Sequence, residues 1–147
     1  MPQGGRDMKR QRGQAVVEFA IVLPFFLLLV FGIIYFGFLF KDYITLSNVA
    51  RSSAREAAVG TNYEEIKGYY KDNTKLTTSI YTWSGEDDSF TIEKITTAGN
   101  GNVPGSVKVT IKATLNTNFP AYGLMKEVSF PEIYEIKYSM HDEKAGT

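Results

Sequence analysis

The chain has 147 residues, a formal net charge of zero and no cysteine. That length suits one modest domain plus an anchor. Balanced charge gives no pointer to nucleic acid or an acidic substrate, and the missing cysteine excludes disulfides, cysteine zinc sites and thiol chemistry.

The charge is unevenly placed. Residues 1–13 hold Arg6, Lys9, Arg10 and Arg12 against Asp7 alone, and from Lys41 onward acidic residues slightly outnumber basic ones. Residues 1–13 read as a short polar leader without regular structure. Met8 opens "MKRQRG", so a start there changes nothing that follows. Such a basic cluster also suits nucleic acid, but a leader abutting a long apolar run points to a membrane instead, and no nucleic-acid partner is expected.

Helix is predicted from about Gln14. From Phe19 to Phe40 no charged residue occurs in 22 positions. A helix of that length is ~33 Å long, against a hydrocarbon core of ~30 Å. Residues 14–40 therefore read as a transmembrane helix in a lipid bilayer. A buried core helix is the first alternative, but a domain this small could hardly surround "FFLLLVFGIIYFGFLF" on all faces. A cleaved secretory signal is the second. Its apolar region usually runs ~7 to 15 residues before a small-residue site, and "KDYITL" offers no such site. Four basic residues precede the span, while Lys41 and Asp42 cancel just after it. The N-terminus is thus expected in the cytoplasm and the rest outside.

Within the span, Pro24 interrupts helical hydrogen bonding and is expected to bend or loosen it. Gly32 and Gly37 are small positions where another helix could approach, though their spacing of five does not match the four-residue close-packing pattern. Glu18 is the one charge between the leader and Lys41. It either snorkels to interfacial water or faces a partner, because a carboxylate in lipid is costly.

The helix is predicted to continue past the membrane over residues 41–60. Tyr43, Leu46, Ala50, Ala54 and Ala57 recur at steps of three and four as one apolar stripe, with Arg51, Arg55 and Glu56 off it. Gly60 is placed to end it. Helix from Gln14 to Val59 would run ~69 Å. Residues 61–147 read as a small extracytoplasmic domain. "TNYEEIKGYYKDN" suits a short helix capped by Asn62 with Glu65, or by Thr61 with Glu64, with Gly68 weakening it.

After Lys75 the period changes to two, and "LTTSIYTW", "SFTIEKITT", "SVKVTIKATL" and "EIYEIKYSM" read as strands. In the third, Val107, Val109, Ile111, Ala113 and Leu115 face one way and Lys108, Thr110, Lys112 and Thr114 the other. In the fourth, Tyr134, Ile136, Tyr138 and Met140 alternate with Glu135, Lys137 and Ser139. "AGNGNVPGS" and "NTNFPAYG" read as loops. The fold class is α+β: a long N-terminal helix, half transmembrane and half amphipathic, packed on a small antiparallel sheet in a pilin-like arrangement.

Chemistry is sparse. The single histidine, His141, lies in the polar "MHDEKAGT" and reads as part of a solvated tail. "GEDDSF" lacks the spaced oxygen ligands of a calcium loop and reads as an exposed turn. There is no serine elbow and no phosphate-binding glycine loop. Tyrosines and phenylalanines of the second half occur at strand spacing and read as core. No enzyme activity, metal or cofactor is expected.

The run "KRQRGQAVVEFAIVLPFFLLLVFGIIYFGFLF", followed by "LSNVARSSAREAAVG", resembles the TadE-like family of pseudopilins. These belong to the tight-adherence (Tad) systems that build Flp-type pili. Several features coincide over residues 10–60: a basic leader, a glycine, a glutamate five residues on, a leucine–proline pair, and an arginine- and alanine-rich amphipathic helix. "FPAYG…EIYEIKYSMHDE" also resembles the end of such proteins, while Thr61 to Gly105 carries no resemblance.

The resemblance implies that 1–13 is a prepilin leader and that a prepilin peptidase cuts the Gly13–Gln14 bond. Gln14 then becomes the first residue, and Glu18 and Phe19 the fifth and sixth, as in the family's processing motif. It also implies a minor pilin in the inner membrane, with other pilins and pseudopilins and an inner-membrane assembly platform as partners. Glu18, Pro24, Gly32 and Gly37 would then serve helix packing in a filament. Cutting would remove the basic anchor and create an ammonium at Gln14, ~6 Å along the helix from Glu18. The rival reading is an uncleaved, membrane-anchored extracytoplasmic binding domain with no filament role.

Overall fold

The computed structural model describes residues 4–95, 105–127 and 129–142, with side chains from residue 14 onward. Helix α1 spans Gly4–Ala58, with Pro24 inside it. The leader expected to be irregular is therefore helical from Gly4. Extending an existing helix adds one hydrogen bond per residue fixed, without a new nucleus, and "DMKRQR" is rich in good helix formers. The chain divides into two units, residues 1–38 and residues 39–147. The first consists of α1 alone among the described residues. None of its most apolar stretch is buried inside the protein, unlike the core helix of a soluble domain. It is long and apolar enough to cross a membrane.

In the second unit α1 becomes amphipathic. Leu46, Val49, Ala50, Ala54, Ala57 and Ala58 are buried. All of these but Ala58 share one buried cluster with Phe90, Ile92, Val107, Val109, Ile111 and Ile136 of the sheet. Tyr43, the expected first member of the stripe, is about half exposed, and Asp42 is buried instead. Ser53 is also fully buried, and its hydroxyl has no hydrogen-bond partner among the described residues.

Gly60 ends the helix as expected. Its φ is 89°, its N–H donates to Ala57 O at 3.0 Å, and Thr61 N–H donates to Glu56 O at 3.1 Å. These are the two bonds of a Schellman cap, whose left-handed residue favours glycine. Helix α2, Tyr63–Asn73, follows at once. Asn62 caps it, accepting from Glu64 N–H at 3.0 Å, and Ile66 points into the core.

The described strands are β1 (Tyr81–Thr82), β2 (Phe90–Ile95), β3 (Ser106–Leu115) and β4 (Ile133–His141). All pairings are antiparallel. β3 is central, with β4 on one side and β1 and β2 on the other. The register places Phe90 opposite Ile111, Ile92 opposite Val109, and Ile136 opposite Ile111. One face is therefore continuous core. Every inward residue of β3 is buried, and the period-two reading of β3 and β4 holds. The outer face carries Lys112, Glu135 and Lys137, with Glu135 between the two lysines at 3.6 and 2.6 Å. Those exposed pairs add little stability.

Three expectations change. "LTTSIYTW" supplies only the two residues of β1, because its upstream backbone is engaged elsewhere. Thr77 and Thr78 N–H donate to Asp42, while Ser79 O and Ile80 O accept from Asn116. The loop "NTNFPAYG" leads into a short helix, α3 (Tyr122–Glu127), too brief to show periodicity. His141 is not in a tail: it ends β4 opposite Ser106, and the next residue, Asp142, is buried beside Lys94 Nζ at 2.5 Å. The "AGNGNVPGS" loop lies mostly outside the described residues.

"GEDDSF" forms the expected turn, and α2 clamps it. Lys67 reaches Asp87 at 2.6 Å and Lys71 reaches Glu86 at 2.5 Å. Gly85, at the head of this turn, has φ 69°, and a Cβ there would lie 2.9 Å from Lys71 Cβ and 3.1 Å from its Cα. The backbone of α2 cannot yield as a side-chain tip could. Gly85→Ala should therefore cost about 1 to 3 kcal/mol, read as a lower urea midpoint in the Trp83 fluorescence of the full chain. An unchanged midpoint would mean that the turn shifts freely.

Candidate processing and packing site

The residues singled out by sequence all lie on α1 within the first unit. The backbone of Gly13 is helical, so the Gly13–Gln14 bond sits inside a helix rather than at its start. Glycine is the weak point of such a helix, by about 1 kcal/mol relative to alanine. Four residues on is one turn, which puts Gln14 and Glu18 on one face. The Gln14 side-chain amide donates to Glu18 Oε1 at 3.2 Å. Glu18 is exposed, and Phe19 beside it is 64% exposed. The carboxylate keeps further acceptor sites, since an ionised carboxyl offers about four.

Pro24 lacks an N–H, which leaves one backbone carbonyl of the preceding turn without its helical donor. Gly32 and Gly37 each open onto empty space, with nothing within 4 Å of where a Cβ would stand. Five helical residues rotate by about 140°, so the two glycines face different directions and do not form one groove. The structure brings Gln14 and Glu18 into contact and leaves Pro24, Gly32 and Gly37 as separate features of the same helix.

Sequence reading missed the most constrained polar group, Asp42. Its carboxylate accepts from Thr77 N–H at 2.6 Å, Thr78 N–H at 2.7 Å and Thr78 Oγ1 at 2.6 Å. It lies four residues before Leu46 and so falls on the buried stripe. That spacing was the available signal. Three tyrosines cluster in the same part of the domain: Tyr43 and Tyr134 have ring centroids 6.2 Å apart, and Tyr134 and Tyr81 meet edge to face at 4.7 Å. Burial, and then the Asp42 charge, push the Tyr134 hydroxyl up to about 12. At the other end of the domain Tyr70 donates to Glu56 at 2.7 Å. Burial and then that bond push it up to about 12. Among the described residues no group of three His, Asp or Glu could hold a metal ion.

Residues 13–55 match the model of the family described as TadE-like protein, the family that the motif resembles. The match takes in every residue singled out on the first unit and most of the amphipathic half of α1. No curated protein and no solved structure matches the chain.

Proposed function

We propose that this chain is a minor, pilin-like structural protein of a Tad-type system. It is inserted with its N-terminus in the cytoplasm, cut between Gly13 and Gln14 by a prepilin peptidase, and used in assembling a Flp-type pilus for adherence or secretion. The observation that carries this is the TadE-like match over residues 13–55, which covers the uncharged run Phe19–Phe40 and, just before it, a carboxylate, Glu18, one turn from Gln14. The role is structural, not catalytic. The sheet domain beyond Gly60 suits a component used in few copies, since it adds bulk that a helix-only subunit lacks.

The chemistry follows from charge in a low-dielectric medium. While the leader is attached, its basic residues hold the N-terminus at the cytoplasmic face. Cutting removes them and leaves an ammonium on Gln14. An exposed Glu18 carboxylate in lipid is costly until it meets a positive partner. A neighbouring subunit's new ammonium supplies one, and the pair sets the axial register of packed helices. Specificity of this kind is the better-attested use of such pairs.

Processing is tested by mass. Co-expression with the cognate peptidase should shorten the chain by the leader and leave Gln14 at the N-terminus. Gly13→Phe should accumulate the uncut chain, because a bulky side chain replaces the smallest one at the scissile bond. A mature protein from its own host that still begins at Met1 or Met8 would instead make this an uncleaved anchor.

A further inference from the structure

One end of the sheet domain displays large apolar side chains that the core does not use. Leu124 on α3 is 66% exposed, Phe130 38% and Ile133 54%, with Tyr43 47%. All but Tyr43 belong to the segment that runs from α3 into β4, and Phe130 N–H donates to Met125 O at 3.0 Å, folding that segment back on itself. Two contacts show which end this is. Tyr43 meets Tyr134, and Arg51 lies over the Tyr138 ring, 5.7 Å from its centroid. Eight helical residues rise ~12 Å and four strand residues ~13 Å. β4 therefore runs alongside α1 in the same sense, and its start lies level with Tyr43. The Tyr81 hydroxyl donates to Pro131 O at 2.8 Å, which holds the approach to β4 at that level. Tyr43 is only three residues past Phe40, where the uncharged run ends, and Leu39 already packs against the domain core.

We infer that the α3–β4 tip, through Leu124, Phe130 and Ile133, docks into the outer-leaflet interface of the membrane that the chain crosses. The ligand is the boundary between phospholipid headgroups and acyl chains. Tyr43 and Tyr134 stand at the same level, where aromatic side chains with polar ends are favoured. Such a tip would hold the domain to the bilayer until assembly extracts it. The exposure of three large apolar residues at the end of the domain where α1 enters it is what selects lipid as the occupant, since isolated apolar residues elsewhere need no partner. The inference rests on the reading that Phe19–Phe40 spans the membrane.

The cysteine-free chain allows single-site spin labels. Leu124→Cys, Phe130→Cys and Ile133→Cys are compared with Phe36→Cys in the span and Arg55→Cys on the exposed side of α1. The full chain is placed in vesicles of phosphatidylethanolamine and phosphatidylglycerol, and collision with oxygen is measured against collision with an aqueous nickel chelate. Labels at 124, 130 and 133 should favour oxygen, at a depth between those at 36 and 55. If the label at 36 is in lipid while the tip labels match 55, the docking inference is overturned and the spanning reading stands. If the label at 36 is also aqueous, both fall. Tip labels shielded from oxygen and chelate alike would mean that a second copy covers the tip, and would equally overturn lipid as its occupant.

Discussion

Asp42→Ala should cost the sheet domain about 3 kcal/mol, the largest loss expected from any single polar side chain outside the span. Asp42 is 3% exposed, and its carboxylate takes three short hydrogen bonds from Thr77 and Thr78. Bonds to a charged acceptor are roughly twice as strong as neutral ones. Truncation leaves three donors without their acceptor in a partly buried place, and the penalty for such donors exceeds the net gain of an ordinary hydrogen bond. The bonds also join residues 35 and 36 apart in sequence, so their loss frees the segment before β1 from α1. Asp42→Asn should recover part of the loss, because its single oxygen still accepts while its amide meets another donor. Urea unfolding of the full chain in detergent, followed by Trp83 fluorescence, reads both variants. The Tyr134 titration should also move down from about 12, only in part, since burial is the larger cause and the Asp42 charge the lesser. A midpoint change worth less than about 1 kcal/mol would mean that water replaces the carboxylate without penalty.

Glu18→Gln should leave cutting and domain folding intact and sharply reduce pili. The proposed pair with a neighbour's ammonium exists only after cutting and only between subunits. Removing one member of a desolvated charge pair costs about 2 kcal/mol or more, roughly thirtyfold in each contact. The amide keeps the shape and a neutral hydrogen bond to Gln14, so the single chain is little disturbed. Glu18→Asp should be intermediate, since it keeps the charge but reaches one methylene less far. Cleavage, sheet-domain unfolding and pilus yield need measurement on the same strains. Normal pili in Glu18→Gln would sink the pairing idea. An uncut variant would move the residue's role to recognition by the peptidase.

Residues close in sequence determined much of this protein without help from the rest. The uncharged run from Phe19 to Phe40 states its own length, and helix geometry makes that length enough to cross a membrane. The contact of Gln14 with Glu18 follows from a spacing of four. Gly60 and Asn62 end and start helices through bonds to residues at most five away. β3 and β4 announce their buried faces by strict alternation, which one-sided burial imposes on any strand. Tertiary structure decided what local pattern leaves open. A charged Asp42 reads as a polar boundary until three donors 35 or more residues away arrive to solvate it. "LTTSIYTW" has strand character, but those same bonds, with Asn116, take its backbone groups out of the ladder. α3 is too short to carry a period. The apolar tip of Leu124, Phe130 and Ile133 exists as a tip only because β4 runs level with α1. In each case the deciding partner is distant in sequence, so the energy that selects the conformation appears only once the chain has folded.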